Sequence, residues 1–221
     1  MSALIVSDYD GTMKKNNKIE INYNLIKELI NDNNKLMIST GRVYKSIKKE
    51  IDTYDIPFNY ISCANGNVLI NNRLEVINKT FVNEQIIKEL KPFYNSIISM
   101  ERNDEFGNEK KDKFTELFIH LENDNKIRRM LVDQLLNSKY YDYCSEGNNK
   151  FDIHIFNKVN KINTIDIVKR LLKISDNEIF TIGDGPNDID MIQKYNGYMI
   201  DNNLETFNSC LEDIKKKVKK W

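Results

Sequence analysis

The chain has 221 residues, and its 33 basic and 33 acidic side chains balance, so no overall charge draws it to nucleic acid or to an anionic membrane. This length allows one large domain or a domain with a modest insertion, and 40% hydrophobic residues are enough for a packed core. Three cysteines without a CxxC pair argue against a disulfide framework and fit a reducing cytoplasm, while no apolar run approaches the ~20 residues of a membrane span.

The first third of the chain alternates between strand and helix patterns. A compact apolar run at 3–8 predicts a buried parallel strand with Asp8 at its carboxyl end. Such alternation predicts the α/β class, with a doubly wound parallel sheet. In order, the predicted elements are a strand at 3–8, a helix from Asn22, a strand at 35–39, a helix through 43–51 and a strand at 58–63.

The middle of the chain has a different rhythm, which predicts a smaller α+β domain inserted into the sheet domain. After it the β-α alternation returns, with a helix at 164–172 and a strand at 178–182. We therefore predict a core of two segments, 1–80 and 157–221, around an insert at 81–156. Within the insert the predicted elements are a helix at 83–94, strands at 96–101 and 114–121, a helix at 124–136, and strands at 140–144 and 151–156.

The loop after the first strand, Asp-Tyr-Asp-Gly-Thr at 8–12, carries two carboxylates whose roles can differ. An ionised Asp8 could attack phosphorus and form a covalent acyl phosphate. Asp10 could then protonate the leaving oxygen as a general acid. For this motif alone, a turn with two surface aspartates is a serious competing interpretation.

Two further polar groups follow predicted element boundaries. Thr40, in Ser-Thr-Gly-Arg at 39–42, offers a hydroxyl and backbone amides that suit a phosphate oxygen, although a helix cap alone explains the same residues. Lys161 precedes a helix and could neutralise the charge of Asp8 and of a phosphate. In so lysine-rich a chain a solvated surface role is the default for it, and Lys158 is a nearby competitor.

The loop Gly-Asp-Gly-Pro-Asn-Asp at 183–188 follows a buried strand and carries Asp184 and Asp188. Carboxylate oxygens completed by phosphate and water are the ligands that magnesium prefers. Turn chemistry alone can produce the same residues, but it does not require two aspartates facing a second acidic loop.

Taken in order, these motifs resemble the haloacid dehalogenase superfamily in its Cof-type phosphatase branch, which has an inserted α/β cap. Residues 8–12 match the DxDGT loop, Thr40 the hydroxyl motif, Lys161 the lysine and 183–188 the GDGxND metal loop. Asn65-Gly66 also matches an Asn-Gly turn of this branch. The resemblance implies a Rossmann-like core and a cap that excludes water and shapes selectivity.

The resemblance also implies a role for each site residue. Asp8 is the nucleophile and a Mg²⁺ ligand, and Asp10 is the acid and base whose backbone carbonyl faces Mg²⁺. Asp184 is a side-chain ligand, and Asp188 supports or joins the metal shell. Thr40 and Lys161 complete the catalytic set. The predicted phosphate contacts are Gly11, Thr40, Gly41, Arg42, Lys161 and Asn187.

Two strands of the insert alternate between apolar and polar residues. Leu117, Ile119 and Leu121 share one face of the first strand, and Phe151, Ile153 and Ile155 share one face of the second. The opposite faces carry Glu116, Phe118 and His120, and Asp152, His154 and Phe156. The polar residues of these faces, Glu116, His120, Asp152 and His154, face either the active site or solvent, and we assign them no catalytic role.

The predicted function is a Mg²⁺-dependent phosphatase that acts on small phosphate monoesters such as sugar phosphates through an aspartyl phosphate. Two alternatives remain, a phosphomannomutase-like phosphotransferase and a non-catalytic protein that binds phosphorylated metabolites. Dehalogenation is disfavoured because it has no use for Asp10 as an acid. We expect a cytoplasmic monomer or homodimer whose partner is a small phosphorylated metabolite, with no nucleic acid and no membrane.

Overall fold

The computed structural model describes residues 2–15, 18–19, 21–145, 149–200 and 206–219. The strands β1 to β13 are, in order, Leu4–Ser7, Lys14–Lys15, Lys18–Ile19, Lys35–Ser39, Tyr60–Cys63, Val68–Asn71, Val76–Lys79, Ile97–Asn103, Glu116–Leu121, Tyr141–Cys144, Asp152–Asn157, Ile179–Gly183 and Asn196–Met199. The helices α1 to α7 are Tyr23–Asn31, Tyr44–Tyr54, Gln85–Glu89, Asn125–Asn137, Lys161–Leu172, Ile189–Lys194 and Phe207–Val218.

The larger sheet has the strand order β13-β12-β1-β4-β5-β6-β7. The five strands from β13 to β5 pair in parallel, with β1 at the centre, so the predicted doubly wound α/β fold is confirmed. The sheet is mixed rather than wholly parallel, because β6 and β7 extend it as an antiparallel hairpin after the Asn65-Gly66 turn. Antiparallel strands joined by a tight turn have no crossover helix between them. The alternation of strand and helix patterns therefore did not predict β6 and β7.

Strand β1 is buried on both sides. Ile5 packs into a cluster that includes residues of α1, α2 and α7, whereas Leu4 and Val6 pack into a second cluster with α5 and α6. Alternate side chains of a strand point to opposite faces, so a continuous apolar run is what a central strand between two helical layers requires. This packing fixes the carboxyl end of β1, and with it Asp8, at the middle of one sheet edge.

The region between β7 and α5 forms a second layer, which we call the cap: α3, α4 and a four-stranded antiparallel sheet of order β10-β11-β9-β8. Its core contains the apolar faces expected from the alternation, with Leu117, Ile119 and Ile153 fully buried. The predicted helix at 83–94 is wrong beyond Glu89, where α3 ends and a 3-10 segment follows. Pro92 explains the break because it has no backbone N–H to donate.

The cap lies over the carboxyl edge of the larger sheet. Phe106, in the loop between β8 and β9, packs edge-on against Tyr44 of α2 with ring centroids 5.3 Å apart. Glu105 in the same loop pairs with Lys79 at 2.7 Å. On the other side of the cap, Asp142 accepts a hydrogen bond from Asn65 at 3.0 Å. Across the described residues, no helix combines the length and the apolar character needed to cross a membrane.

Candidate active site

A cavity of about 400 Å³ lies between the cap and the carboxyl ends of β1, β4 and β12. Those three strands lie side by side, because Ser7 of β1 pairs with Ile38 on one side and with Ile182 on the other. The loops that follow them therefore meet at one place, although they are far apart in sequence. The cavity is lined by Asp8, Asp10, Thr40, Gly41, Arg42, Cys144, Ser145, Asp184, Gly185 and Asn187.

Beneath the cavity, Lys161 joins two buried carboxylates. Its Nζ donates to Asp8 Oδ1 at 2.6 Å and to Asp188 Oδ1 at 2.7 Å, and its side chain is 1% exposed. It is the first residue of α5, which begins three residues earlier than predicted because the Asn160 side chain caps the helix by accepting from the N–H of Ile162. The competing Lys158 instead donates to the Ser138 carbonyl in the cap at 3.0 Å.

The loop after β12 is tied to Asp8 through Asp188. Asp188 Oδ2 accepts from the backbone N–H of Gly185 at 3.1 Å and of Asp184 at 3.3 Å, while its other oxygen faces Lys161. The Asp184 carboxylate in turn accepts from the Thr12 hydroxyl at 2.8 Å, which links this loop to the one after β1. One carboxylate oxygen from each of Asp8, Asp184 and Asp188 thus lies within 4.8 Å of the other two.

This cluster holds more negative than positive charge. Three carboxylates face one ammonium group, so two negative charges are uncompensated when all are ionised. Burial raises the pKa of Asp8 to about 7, against the opposing effect of Lys161 and with a further contribution from Asp188. Burial also raises the pKa of Asp184 above its usual value. Desolvation alone would lower the pKa of Lys161, but its two carboxylate partners outweigh it and raise that pKa.

The donor set fits a hard divalent cation. All three side chains offer oxygen, and a charge of +2 would balance the excess that the cluster carries. The residues that would hold the ion are Asp8 and Asp184, with the backbone of Asp10 as implied by the sequence motif, and Asp188 would support or join this set. Asp188 already accepts hydrogen bonds from Lys161 and from two backbone N–H groups. We therefore expect it mainly to hold the metal-binding loop in place.

Asp10 points away from this cluster, towards Arg42. The guanidinium holds its carboxylate in a bidentate pair, with Nε to Oδ2 at 2.7 Å and Nη2 to Oδ1 at 2.6 Å. Thr40 is buried, and its hydroxyl accepts from the backbone N–H of Arg42 at 3.1 Å. Arg42 also donates to Glu50 of α2, a residue that the motifs do not contain. The roles of Arg42 and Thr40 as phosphate contacts stay predictions.

Asn187 and Asn65 form the rim between the sheet and the cap. Asn187 Nδ2 lies 3.5 Å from Asn65 Oδ1, and Asn65 Nδ2 donates to Asp142 of the cap. Gly66 has φ +102°, and a Cβ there would lie 2.9 Å from the Asn160 carbonyl. The Asn-Gly turn therefore needs glycine both for its backbone and to let the start of α5 approach.

The cap contributes Cys144 and Ser145, which sequence reasoning missed. The signal was the alternation of β10, which puts Cys144 on the same face as Asp142 and opposite His154 of β11. The polar residues of that face are paired: His154 with Glu116 at 2.5 Å, and His120 with Asp152 at 2.6 Å. They form the polar face of the cap sheet beside the cavity wall.

Gly11 is the point at which the first loop approaches Asp184. Its φ is +87°, and a Cβ there would lie 2.0 Å from Asp184 Oδ2. We expect Gly11→Ala to lower the free energy of unfolding by more than the ~1–2 kcal/mol of a left-handed backbone alone, because the carboxylate must also move. Urea denaturation measures this loss.

Gly107 provides a matched control for this substitution. It has φ +80°, but a Cβ there would meet only the flexible Lys45 side chain, at 3.2 Å. Gly107→Ala should therefore show the backbone cost without the collision. Equal losses for the two variants would contradict the tight approach of Gly11 to Asp184.

The site lies where the strand order of a doubly wound sheet reverses, on either side of β1, which is where open α/β proteins bind their ligands. The architecture thus defines an α/β protein with an acidic site under an inserted cap. The chain matches the family of haloacid dehalogenase-like hydrolases over residues 5–97 and 77–217, and it belongs to that family. The resemblance noted from the motifs is thereby confirmed.

Similar proteins agree with this placement. A protein of Mycoplasma capricolum subsp. capricolum, which has no described function, is 26% identical over 241 residues, covering 90% of this chain and 91% of its own length. A haloacid dehalogenase-like hydrolase from Bacteroides thetaiotaomicron has a TM-score of 0.71 at 16% identity, covering 98% of this chain and all of its own. BT1666 from the same organism, described among phosphatases of this superfamily, has a TM-score of 0.64 at 15% identity, covering 88% and 82%. At these identities the two structures show a shared fold.

Proposed function

We propose that this chain is a Mg²⁺-dependent phosphatase that hydrolyses small phosphate monoesters, such as sugar phosphates, through a phosphoaspartate on Asp8. The position of Asp8 supports this most strongly. It follows β1, contacts Lys161 at 2.6 Å, and lines the cavity together with Asp10 and Asp184. The cavity of about 400 Å³ lies in the ~300–1,000 Å³ range of small-molecule pockets, which favours a small ester as substrate.

In the first half of the proposed reaction, a carboxylate oxygen of Asp8 attacks phosphorus. A new O–P bond forms as the bond from phosphorus to the ester oxygen breaks, and Asp10, which enters this step protonated, gives its proton to that leaving oxygen. The Asp10 oxygen that carries the proton releases its hydrogen bond to Arg42 for this step, and the other oxygen keeps its own. Lys161 offsets negative charge on Asp8 and on the transferring group. Backbone N–H groups of the first loop and of Gly41 are the expected phosphate donors.

In the second half, water attacks phosphorus of the acyl phosphate. Asp10, now ionised, takes a proton from the water, the bond from phosphorus to the Asp8 oxygen breaks, and inorganic phosphate leaves. A Mg²⁺ ion held by Asp8 and Asp184 would supply positive charge that offsets the negative charge of the phosphate. The cap covers the site during both steps and limits the access of bulk water.

The experiment that tests this function is a panel of phosphorylated metabolites assayed for inorganic phosphate. We expect turnover with Mg²⁺, loss of turnover in EDTA, and recovery when Mg²⁺ is added back. Mg²⁺ should also raise the melting temperature of the wild type, and Asp184→Asn should reduce this rise because it removes a ligand from the cluster. Full activity in chelator, or strict dependence on zinc, would contradict the metal assignment.

The same panel separates the alternatives. Conversion of a hexose 1-phosphate into its 6-phosphate without phosphate release would indicate a phosphotransferase. Binding of phosphorylated metabolites with no turnover across the panel would indicate a binding protein. Phosphate release that depends on Asp8 supports the phosphatase.

A further inference from the structure

Glu50, in the middle of α2, receives hydrogen bonds from three different side chains. Tyr9 donates its hydroxyl to Oε2 at 2.9 Å, and Lys14 Nζ contacts both carboxylate oxygens, at 2.8 and 2.7 Å. Arg42 Nη1 donates to Oε1 at 3.2 Å. A single carboxylate thus contacts one residue from the loop after β1, one from β2 and one from the loop after β4.

Arg42 divides its guanidinium between two carboxylates. Nε and Nη2 form the planar fork that holds Asp10, while Nη1 turns back to Glu50. The guanidinium carbon also lies 5.3 Å from the centre of the Tyr9 ring, and Nη1 lies 3.4 Å from the Ser46 hydroxyl. These contacts determine the plane of the guanidinium, and a bidentate pair transmits that plane to the Asp10 carboxylate.

The hydrogen-bond network formed by Tyr9, Lys14, Arg42, Glu50 and Asp10 is largely buried at Glu50 and exposed to solvent at Asp10. The side chain of Glu50 is 19% exposed and that of Lys14 is 12% exposed, whereas that of Asp10 is 49% exposed. The cavity wall includes Asp10 and Arg42, and Glu50 lies behind Arg42. Of the partners Tyr9, Lys14 and Arg42, only Arg42 lines the cavity, so Arg42 is the direct route by which Glu50 can affect a bound ester.

Burial and charge keep Glu50 ionised and the Tyr9 phenol protonated near neutral pH. Burial alone would raise the pKa of Glu50, but the contacts with Lys14, Tyr9 and Arg42 outweigh it and hold that pKa below its usual value. Burial, with the neighbouring Glu50 carboxylate, raises the pKa of Tyr9, so the phenol stays protonated and remains a donor. Glu50 is thus a fixed anion with fixed partners.

We infer that Glu50 is a positioning residue, which holds Arg42 so that Arg42 fixes the orientation of the Asp10 carboxylate at the cavity. This inference rests on the proposed function, in which Asp10 transfers the proton of the leaving group. Without the Glu50 carboxylate, Arg42 loses one of the ionic partners that hold it among the described residues, and its guanidinium is less constrained. A displaced proton donor slows proton transfer far more than it weakens substrate binding, because displacements of ~1 Å can cost ~10²-fold in rate.

The test is Glu50→Gln, assayed on a series of phosphate esters whose leaving groups differ in basicity. We expect the rate of phosphoenzyme formation from alkyl phosphates, measured by rapid quench, to fall about 10- to 100-fold with little change in substrate affinity, and the same rate from nitrophenyl phosphate to fall much less. In an Asp10→Asn background, Glu50→Gln should cause no further loss on alkyl phosphates, since the group that it positions is absent.

Asp52→Asn is the matched control. It removes the same charge from the same helix, but Asp52 is 60% exposed and pairs only with Lys48 among the ion pairs of the described residues. Its rates should equal those of the wild type. Tyr9→Phe removes one hydroxyl from the Glu50 carboxylate and should give a smaller loss with the same leaving-group dependence, which tests the inference even where Glu50→Gln does not fold.

The outcomes distinguish this inference from the proposed function. A wild-type protein that hydrolyses no ester overturns both. If the wild type is active, either of two results with the variants overturns the inference and leaves the proposed function standing. One is a Glu50→Gln or Tyr9→Phe variant in which the rate of phosphoenzyme formation falls equally for all esters. The other is a full additional loss on top of Asp10→Asn.

Discussion

Asp8→Asn should reduce phosphate release to background, a loss of at least ~10⁴-fold, because the amide keeps the shape of the side chain but cannot attack phosphorus. Asp8 is the carboxylate that both contacts Lys161 and lines the cavity, and Asp188, which also contacts Lys161, is turned into the protein. Steady-state phosphate release from a good substrate measures the loss. Mass spectrometry of rapidly quenched wild-type enzyme should find phosphate on Asp8.

The melting temperature shows whether this loss is chemical or due to unfolding. Three carboxylates crowd around one ammonium, so a neutral Asn at position 8 relieves repulsion and leaves Lys161 paired with Asp188. In the absence of divalent cations we expect Asp8→Asn to melt at or above the wild-type temperature at neutral pH. A fully active Asp8→Asn variant, or phosphate trapped on another residue, would refute the proposed mechanism.

The second large effect is expected from Asp10→Asn, which removes the proton donor and leaves the nucleophile in place. General acid–base catalysis is typically worth ~10²–10⁴-fold, so turnover of alkyl phosphates should fall by that factor. Nitrophenolate leaves without a proton, so nitrophenyl phosphate should be affected least in the first half-reaction. Rates across the ester series measure this dependence.

A phosphoenzyme measurement separates the two aspartates. With nitrophenyl phosphate, Asp10→Asn should still form the acyl phosphate on Asp8 and should accumulate it, because the base that activates water is missing. Asp8→Asn should form none. An equal fall on every ester, with no accumulated phosphoenzyme, would argue that Asp10 serves binding or structure instead. Asp52→Asn again controls for the loss of one carboxylate.

The sequence predicted the strands whose carboxyl ends carry the candidate site. The apolar run at 3–8 became β1, at Leu4–Ser7, and the run at 35–39 became β4 with the same bounds. A continuous apolar run is sufficient to predict these strands, because a strand buried on both faces must be apolar throughout. The chain must turn where such a run ends. Polar residues just after such runs are therefore at the carboxyl edge of a parallel sheet, whichever order the strands take.

Tertiary structure decided which side chains meet. Thr12 and Asp184 are 172 residues apart and hydrogen-bond because β1 and β12 are neighbours in the sheet, which no local pattern encodes. The same packing placed Lys161, not Lys158, beside Asp8, since only the first turn of α5 reaches beneath the cavity. The local sequence offers the same side chain at both positions, so only their positions relative to the sheet determine which lysine contacts Asp8.

Glu50 shows most clearly what the sequence by itself could not determine. On α2 it is one polar residue in a Lys-Lys-Glu stretch, which predicts only a solvated helix face. Its partners Tyr9, Lys14 and Arg42 come from the loop after β1, from β2 and from the loop after β4, so its burial and charge pairing exist only after the sheet has formed. The sequence supplied each charge, and the fold decided that they face one another, because electrostatic interactions depend on distance in space and not along the chain.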